Sequence, residues 1–108
     1  MKYSLLCCTL LALFSKSNCW SLTLYPPGSE CISGGITITG SDTTPCTAIT
    51  DTAATAFEFF PDNQEAFVTL CTPPASAGCS DEDACEVFGD TVCLVGGPWS
   101  SYQVVVAD

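Results

Sequence analysis

The chain has no histidine and no arginine, and its only lysines, Lys2 and Lys16, fall within the first 16 residues. A serine or cysteine nucleophile would find no neighbouring base here, so nucleophile–base catalysis is excluded. No imidazole and no C-x-x-C pair are available, which leaves cysteine-ligated zinc without its usual donor pattern. Beyond Lys16 there is nothing to neutralise phosphate, so nucleic acid and anionic membrane surfaces are excluded as partners. Asn18 and Asn63 are not followed by the N-x-Ser/Thr pattern, and no N-glycan is expected. After Leu5–Phe14 there is no second apolar run of membrane-spanning length, and the closing VVVAD has neither the spacer nor the tail of a lipid-anchor signal.

What is present begins with a leader. Lys2 supplies a positive start, Leu5–Phe14 (LLCCTLLALF) is an apolar stretch of signal-peptide length, and small residues follow. Cuts after Ser17, Cys19 or Ser21 all satisfy the small-residue requirement. Of nine cysteines, Cys7, Cys8 and Cys19 lie in this region, and a cut at 19 or 21 leaves an even set: Cys31, Cys46, Cys71, Cys79, Cys85 and Cys93. The reading is a signal peptide over 1–19, with cleavage as late as 21, and a single domain over 22–108. Six cysteines in so short a secreted chain predict three disulfides, an extracellular location and a monomer.

Losing Lys2 and Lys16 leaves twelve carboxylates facing no cation. Self-repulsion then weakens an already thin core, so the cross-links are expected to hold the fold closed, and mild acid or added salt to stabilise it.

Helix-favouring runs are scarce. Thr, Val, Ile and aromatic residues recur in short segments bounded by Gly, Pro, Ser and Asp, which predicts strands over Leu22–Tyr25, Gly35–Thr39, Ala56–Phe60, Phe67–Cys71, Cys85–Phe88, Thr91–Val95 and Tyr102–Val106. The class is all-β.

The strands repeat. Thr23-Leu24-Tyr25-Pro26-Pro27 is echoed by Thr69-Leu70-Cys71-Thr72-Pro73-Pro74, at an offset of 46 residues (69 − 23). Each copy is followed by a cysteine pair of similar spacing, 15 residues for Cys31 and Cys46 (46 − 31) and 14 for Cys79 and Cys93 (93 − 79). Each pair is followed by a strand opening on an aromatic, Phe57 or Tyr102. Two such units predict a small disulfide-stabilised Greek-key β-sandwich with pseudo-equivalent motifs over about 22–60 and 67–107. If the halves are equivalent, the expected pairing is Cys31 with Cys46, Cys79 with Cys93, and Cys71 with Cys85.

A duplicated Greek key with an aromatic-bearing hairpin early in each half resembles the βγ-crystallin-like fold, and in particular small secreted fungal proteins, among them killer toxins and extracellular effectors. The hairpin signature of that family is an aromatic, a second aromatic about five residues on, then a glycine. Here Tyr25 is followed by Cys31 and Gly34, and Cys71 by Cys79, so cysteine stands in place of the second aromatic. The family's calcium motif, two Asn or Asp residues, two of any type, then Ser or Thr and a Ser, aligns with Gly96–Ser101 and with Asp51–Ala56. The first stretch keeps both hydroxyls but no acid; the second keeps one acid and one hydroxyl. Calcium wants several oxygen ligands including carboxylates, so the resemblance implies a member that uses disulfides instead of metal. No cofactor is expected.

Glu58, Asp62 and Glu65 are the carboxylates a glycosidase pair would draw on, but so small a domain offers little concavity for a sugar chain. Ser80–Glu86, with Asp81, Glu82 and Asp83 at its centre, is the densest acidic stretch; it lacks the glycine-containing twelve-residue calcium loop and reads as a solvated loop, with calcium or a basic partner protein as the functional alternatives. Alternation along a strand sends Phe57 and Phe59 to the core and Phe60 to the rim. Trp99, in a Gly-Gly-Pro-Trp loop, reads as packing over the sandwich or, if exposed with Phe60, as an interface anchor.

The function expected from these features together is that of a secreted, non-enzymatic, effector-like protein that binds a host or competitor protein outside the cell. A killer-type or antimicrobial toxin of the same fold and a fungal surface structural protein are the alternatives.

Overall fold

The computed structural model describes residues 19–29, 31–49, 53–62, 65–73, 79–80 and 82–107; the leader and Asp81 lie outside the described residues. The eight strands are β1 (Cys19–Tyr25), β2 (Ile36–Gly40), β3 (Thr47–Ala48), β4 (Ala54–Asp62), β5 (Glu65–Cys71), β6 (Cys85–Phe88), β7 (Thr91–Trp99) and β8 (Ser101–Ala107). They build two four-stranded sheets, ordered β2-β1-β4-β7 and β3-β8-β5-β6, and every pairing is antiparallel. Among the described residues no helix is long and apolar enough to cross a membrane.

Period-two alternation decides what lies between the sheets. From the first sheet, Trp20, Leu22 and Leu24 of β1 and Phe57 and Phe59 of β4 face inward. From the second, Ala66, Val68 and Leu70 of β5 and Tyr102 and Val104 of β8 meet them. Burying a side chain of this size contributes roughly 1.5–3 kcal/mol, so this double row dominates the stability. Leu24 stands opposite Phe57, and Leu70 opposite Tyr102.

The first sheet begins earlier than the sequence suggested. β1 starts at Cys19 rather than Leu22, and Trp20 is buried, its ring 6.4 Å from that of Phe59 and its indole N–H donating to the Asp42 carbonyl at 3.1 Å. Gly40 makes room for it, because a Cβ there would stand 2.7 Å from the indole. Cys19 is buried and disulfide-bonded.

The strand missing from the sequence reading is β3, only two residues long. Two residues carry no detectable alternation. The chain before it nonetheless protects the edge of β8, where Thr43 and Thr44 hydroxyls accept hydrogen bonds from the amides of Val106 and Val104 at 2.9 and 3.0 Å. Covering a free edge in this way prevents pairing with another chain.

Three disulfides have both cysteines among the described residues: Cys31–Cys93, Cys46–Cys79 and Cys71–Cys85. The expected Cys71–Cys85 bridge is present, between directly opposed residues of β5 and β6. The expected Cys31–Cys46 and Cys79–Cys93 bridges are not, and the strand order explains the correction. β7, from the second half of the sequence, lies in the first sheet beside β4, which brings Cys93 to the loop that follows β1 and carries Cys31. β3, from the first half, lies in the second sheet beside β8, which brings Cys46 to the loop that follows β5 and carries Cys79. Each bridge thus serves one sheet while crossing between the sequence halves. Cys31 and Cys79 both adopt left-handed backbone, with φ of 68° and 51°, a conformation rare for residues with a side chain.

Three disulfides among the described residues of so small an all-β chain fit an oxidising, extracellular setting.

Candidate functional site

The residues singled out in the sequence do not converge on one place. Trp99 is buried at the end of β7, its ring centroid 5.3 Å from Phe57 and 6.2 Å from Phe88, both edge-to-face. Gly96 and Gly97 make this packing feasible: a Cβ on Gly96 would lie 3.1 Å from the indole, and Gly97, with φ of +78°, would place one 2.8 Å from the Ala54 carbonyl. Trp99 is therefore a core residue and not an exposed anchor. Phe60 is half-buried on the outer face of the first sheet, opposite Ser21, while Phe57 and Phe59 are fully buried.

Glu82 and Asp83 are exposed between the second and third cysteines of the later half, and Asp81 lies outside the described residues. Among the described residues no group of three His, Cys, Asp or Glu side chains gathers as a metal site would. The carboxylates considered for sugar hydrolysis are dispersed. Glu58 is on β4, with the Tyr25 hydroxyl donating to its Oε1 at 3.4 Å, on the outer face of the first sheet. Glu65 lies on the solvent side of β5 in the second sheet. The two point away from opposite sides of the sandwich and cannot share a substrate. Asp62 ends β4. Of the calcium-motif stretches, 96–101 runs from β7 into β8, with Ser101 buried, and 51–56 enters β4 at Ala54, its first two residues lying outside the described ones.

Two other features emerge from the fold. On the outer face of the second sheet Phe67 and Val105 stand directly opposite one another, 39% and 40% exposed, and Val87, diagonal to Phe67 on β6, is 62% exposed. Glu65 lies on the same face, two residues from Phe67. At the Cys71 end of this face the Cys79 sulfur lies 4.0 Å from the Ser101 hydroxyl. Phe67 was legible as an outward residue. With Leu70 fixed as core, a residue three positions away on the same strand must face solvent.

The second feature is a cleft of about 400 Å³ where the sheets part, between β1 and β2 on one side and β3 and β8 on the other. Leu24, Tyr25, Ile36, Ile38, Ile49 and Tyr102 form most of its wall. No charged residue is among the described residues that line it. Its origin is the shortness of β3, which leaves the second sheet too narrow to cover β2.

Comparison of the chain with protein-family models, curated proteins and solved structures finds no match, so the functional reading rests on these surfaces.

Proposed function

We propose that this chain is a secreted, non-enzymatic binding protein of effector type, which acts outside the cell that makes it by docking a protein of a host or competitor. The observation that carries the reading is the Phe67–Val105–Val87 patch, an apolar group on a rigid sheet face. Aromatic side chains held in place by strands lose little entropy on binding and dominate interface energies. The surrounding charge is of one sign: twelve carboxylates and, after Lys16, no cation. A second copy would bring carboxylate against carboxylate, whereas a basic protein surface would be attracted. The preferred partner is therefore a protein with an apolar pocket rimmed by Lys or Arg.

The same proposal extends to ancestry. Replacing β1, β2, β3 and β4 by β5, β6, β7 and β8 converts the order β2-β1-β4-β7 into β6-β5-β8-β3, which is the second sheet read from its other edge. The exchange also carries Cys31–Cys93 into Cys79–Cys46. These correspondences support a duplicated Greek key of βγ-crystallin type, with the third strand of each half exchanged. The assignment to fungal extracellular effectors rests on the same resemblance.

The test is binding of labelled secreted protein to intact cells of a candidate host or competitor, in parallel with Phe67→Asp. Saturable binding that unlabelled protein competes and that Phe67→Asp abolishes is the expected result. Absent saturable binding, or binding that survives Phe67→Asp, overturns the reading.

A further inference from the structure

We infer that the cleft between β2 and β3 is a binding site for a neutral, largely apolar small molecule bearing a single hydrogen-bonding group, of the fatty-alcohol kind. Its volume of about 400 Å³ falls within the range of natural ligand sites, roughly 300–1,000 Å³. Its wall is aliphatic and aromatic on both sides, with Leu24, Ile36 and Ile38 from the first sheet and Ile49 and Tyr102 from the second half of the wall. Ile36 is left largely exposed at the mouth, the position at which an acyl chain would recover apolar contact.

The polar groups of the wall narrow the ligand further. The Tyr25 hydroxyl already donates to Glu58 and the Thr47 hydroxyl to the Pro45 carbonyl at 2.8 Å. Tyr102 is different: the residue is nine-tenths buried, it lines the cleft, and its hydroxyl is not among the buried polar atoms that lack a partner. A phenolic hydroxyl both donates and accepts, and on the wall of an otherwise apolar cleft it is a group that a ligand hydroxyl or carbonyl can pair with. The charge pattern selects against ions. A carboxylate ligand would meet a strongly acidic protein and no cation among the described lining residues, and an ammonium would find no carboxylate there. A neutral amphiphile is the ligand chemistry that remains, and the site is separate from the Phe67 face proposed to dock protein.

The test uses the secreted, disulfide-intact protein and the neutral dye N-phenyl-1-naphthylamine, whose fluorescence rises in apolar sites, with 1-decanol and decanoate as competitors. Saturable dye binding, displacement by 1-decanol, and displacement by decanoate at least about tenfold weaker are expected from the unpaired cost of burying a charge. Ala48→Trp, at an exposed position on the cleft wall, fills the space and should abolish dye binding while the three bridges remain intact by mass. Tyr102→Phe should weaken displacement by 1-decanol about fivefold, the ordinary worth of one hydrogen bond. Dye binding that survives Ala48→Trp, equal competition by decanoate, or no saturable binding overturns the inference. So does sedimentation showing the cleft closed by a second copy.

Discussion

The ring of Tyr25 occupies the space that a side chain on Gly35 would need: a Cβ on Gly35 would stand 2.7 Å from Cε1 and 2.9 Å from Cδ1. Leu24 pairs with Ile36, so Tyr25 and Gly35 meet across the next rung of the β1–β2 ladder. In the second half the corresponding rung is Cys71 opposite Cys85, and a disulfide joins them. An aromatic over a glycine in one half thus stands where the other half has a covalent bond.

Gly35→Ala should therefore force the Tyr25 ring and the Thr23 methyl, 2.8 Å away, to move. Overpacking of this kind costs typically about 1–3 kcal/mol. A lowered melting temperature with unchanged disulfides is the expected outcome, read by circular dichroism and intact mass; an unchanged melting temperature would mean that the ring is not held there.

The amino-terminal boundary can be tested against Trp20. A protein beginning at Leu22 lacks this buried indole and its hydrogen bond to Asp42, whereas one beginning at residue 18 keeps both. Loss of a core tryptophan costs about 3–5 kcal/mol. Denaturant unfolding of the two forms should differ by that amount, and sequencing of the secreted protein should find Trp20 retained.

Disulfide mapping with a protease other than trypsin should recover Cys31–Cys93, Cys46–Cys79 and Cys71–Cys85. Their sequence separations of 62, 33 and 14 rank what each removes from the unfolded chain's entropy. Loop closure gives about 4 kcal/mol for a separation near 60 and about 3 kcal/mol for one near 15. Replacing Cys31 and Cys93 together by Ser should thus cost more stability than replacing Cys71 and Cys85 together; the reverse order would show that local geometry outweighs loop length.

Trp99→Ala removes the centre of an aromatic trio with Phe57 and Phe88. The expected cost is about 3–5 kcal/mol, with no loss of cell-surface binding at temperatures where the variant stays folded. Loss of binding in the folded variant would return Trp99 to the interface.

Sodium chloride should raise the melting temperature, because twelve carboxylates with no lysine or arginine beyond Lys16 repel one another and the screening length falls to about 3 Å at 1 M. A melting temperature that falls with salt would imply that attractive contacts dominate the surface.

Much of the architecture was written in local signals. The β-branched and aromatic residues of Phe67–Cys71 and Tyr102–Val106 located strands that the structure extends by a residue or two, and Cys85–Phe88 coincides with β6. What failed was non-local. Cys31 and Cys46 are neighbours in sequence, but partners are chosen by which strands lie side by side, and β3 is too short to announce that it leaves its own half. Trp20 escaped notice because it adjoins a segment with the marks of a leader. The apolar patch was recoverable from strand parity once Leu70 and Tyr102 were set inward. The cleft was not, since it arises from the brevity of β3 and from the separation of two edges distant in sequence.

The exchanged strands also order events in time. Delivered amino terminus first into an oxidising compartment, as the proposed secretion would require, the chain would present Cys31 and Cys46 before Cys79 and Cys93 could meet them. The first sheet cannot be completed until β7 arrives, nor β3 find its place until β8 does. A premature Cys31–Cys46 bond is thus the hazard of vectorial synthesis for this chain. Its maturation should depend on a disulfide isomerase as well as an oxidase, and should finish only after the carboxyl terminus is released.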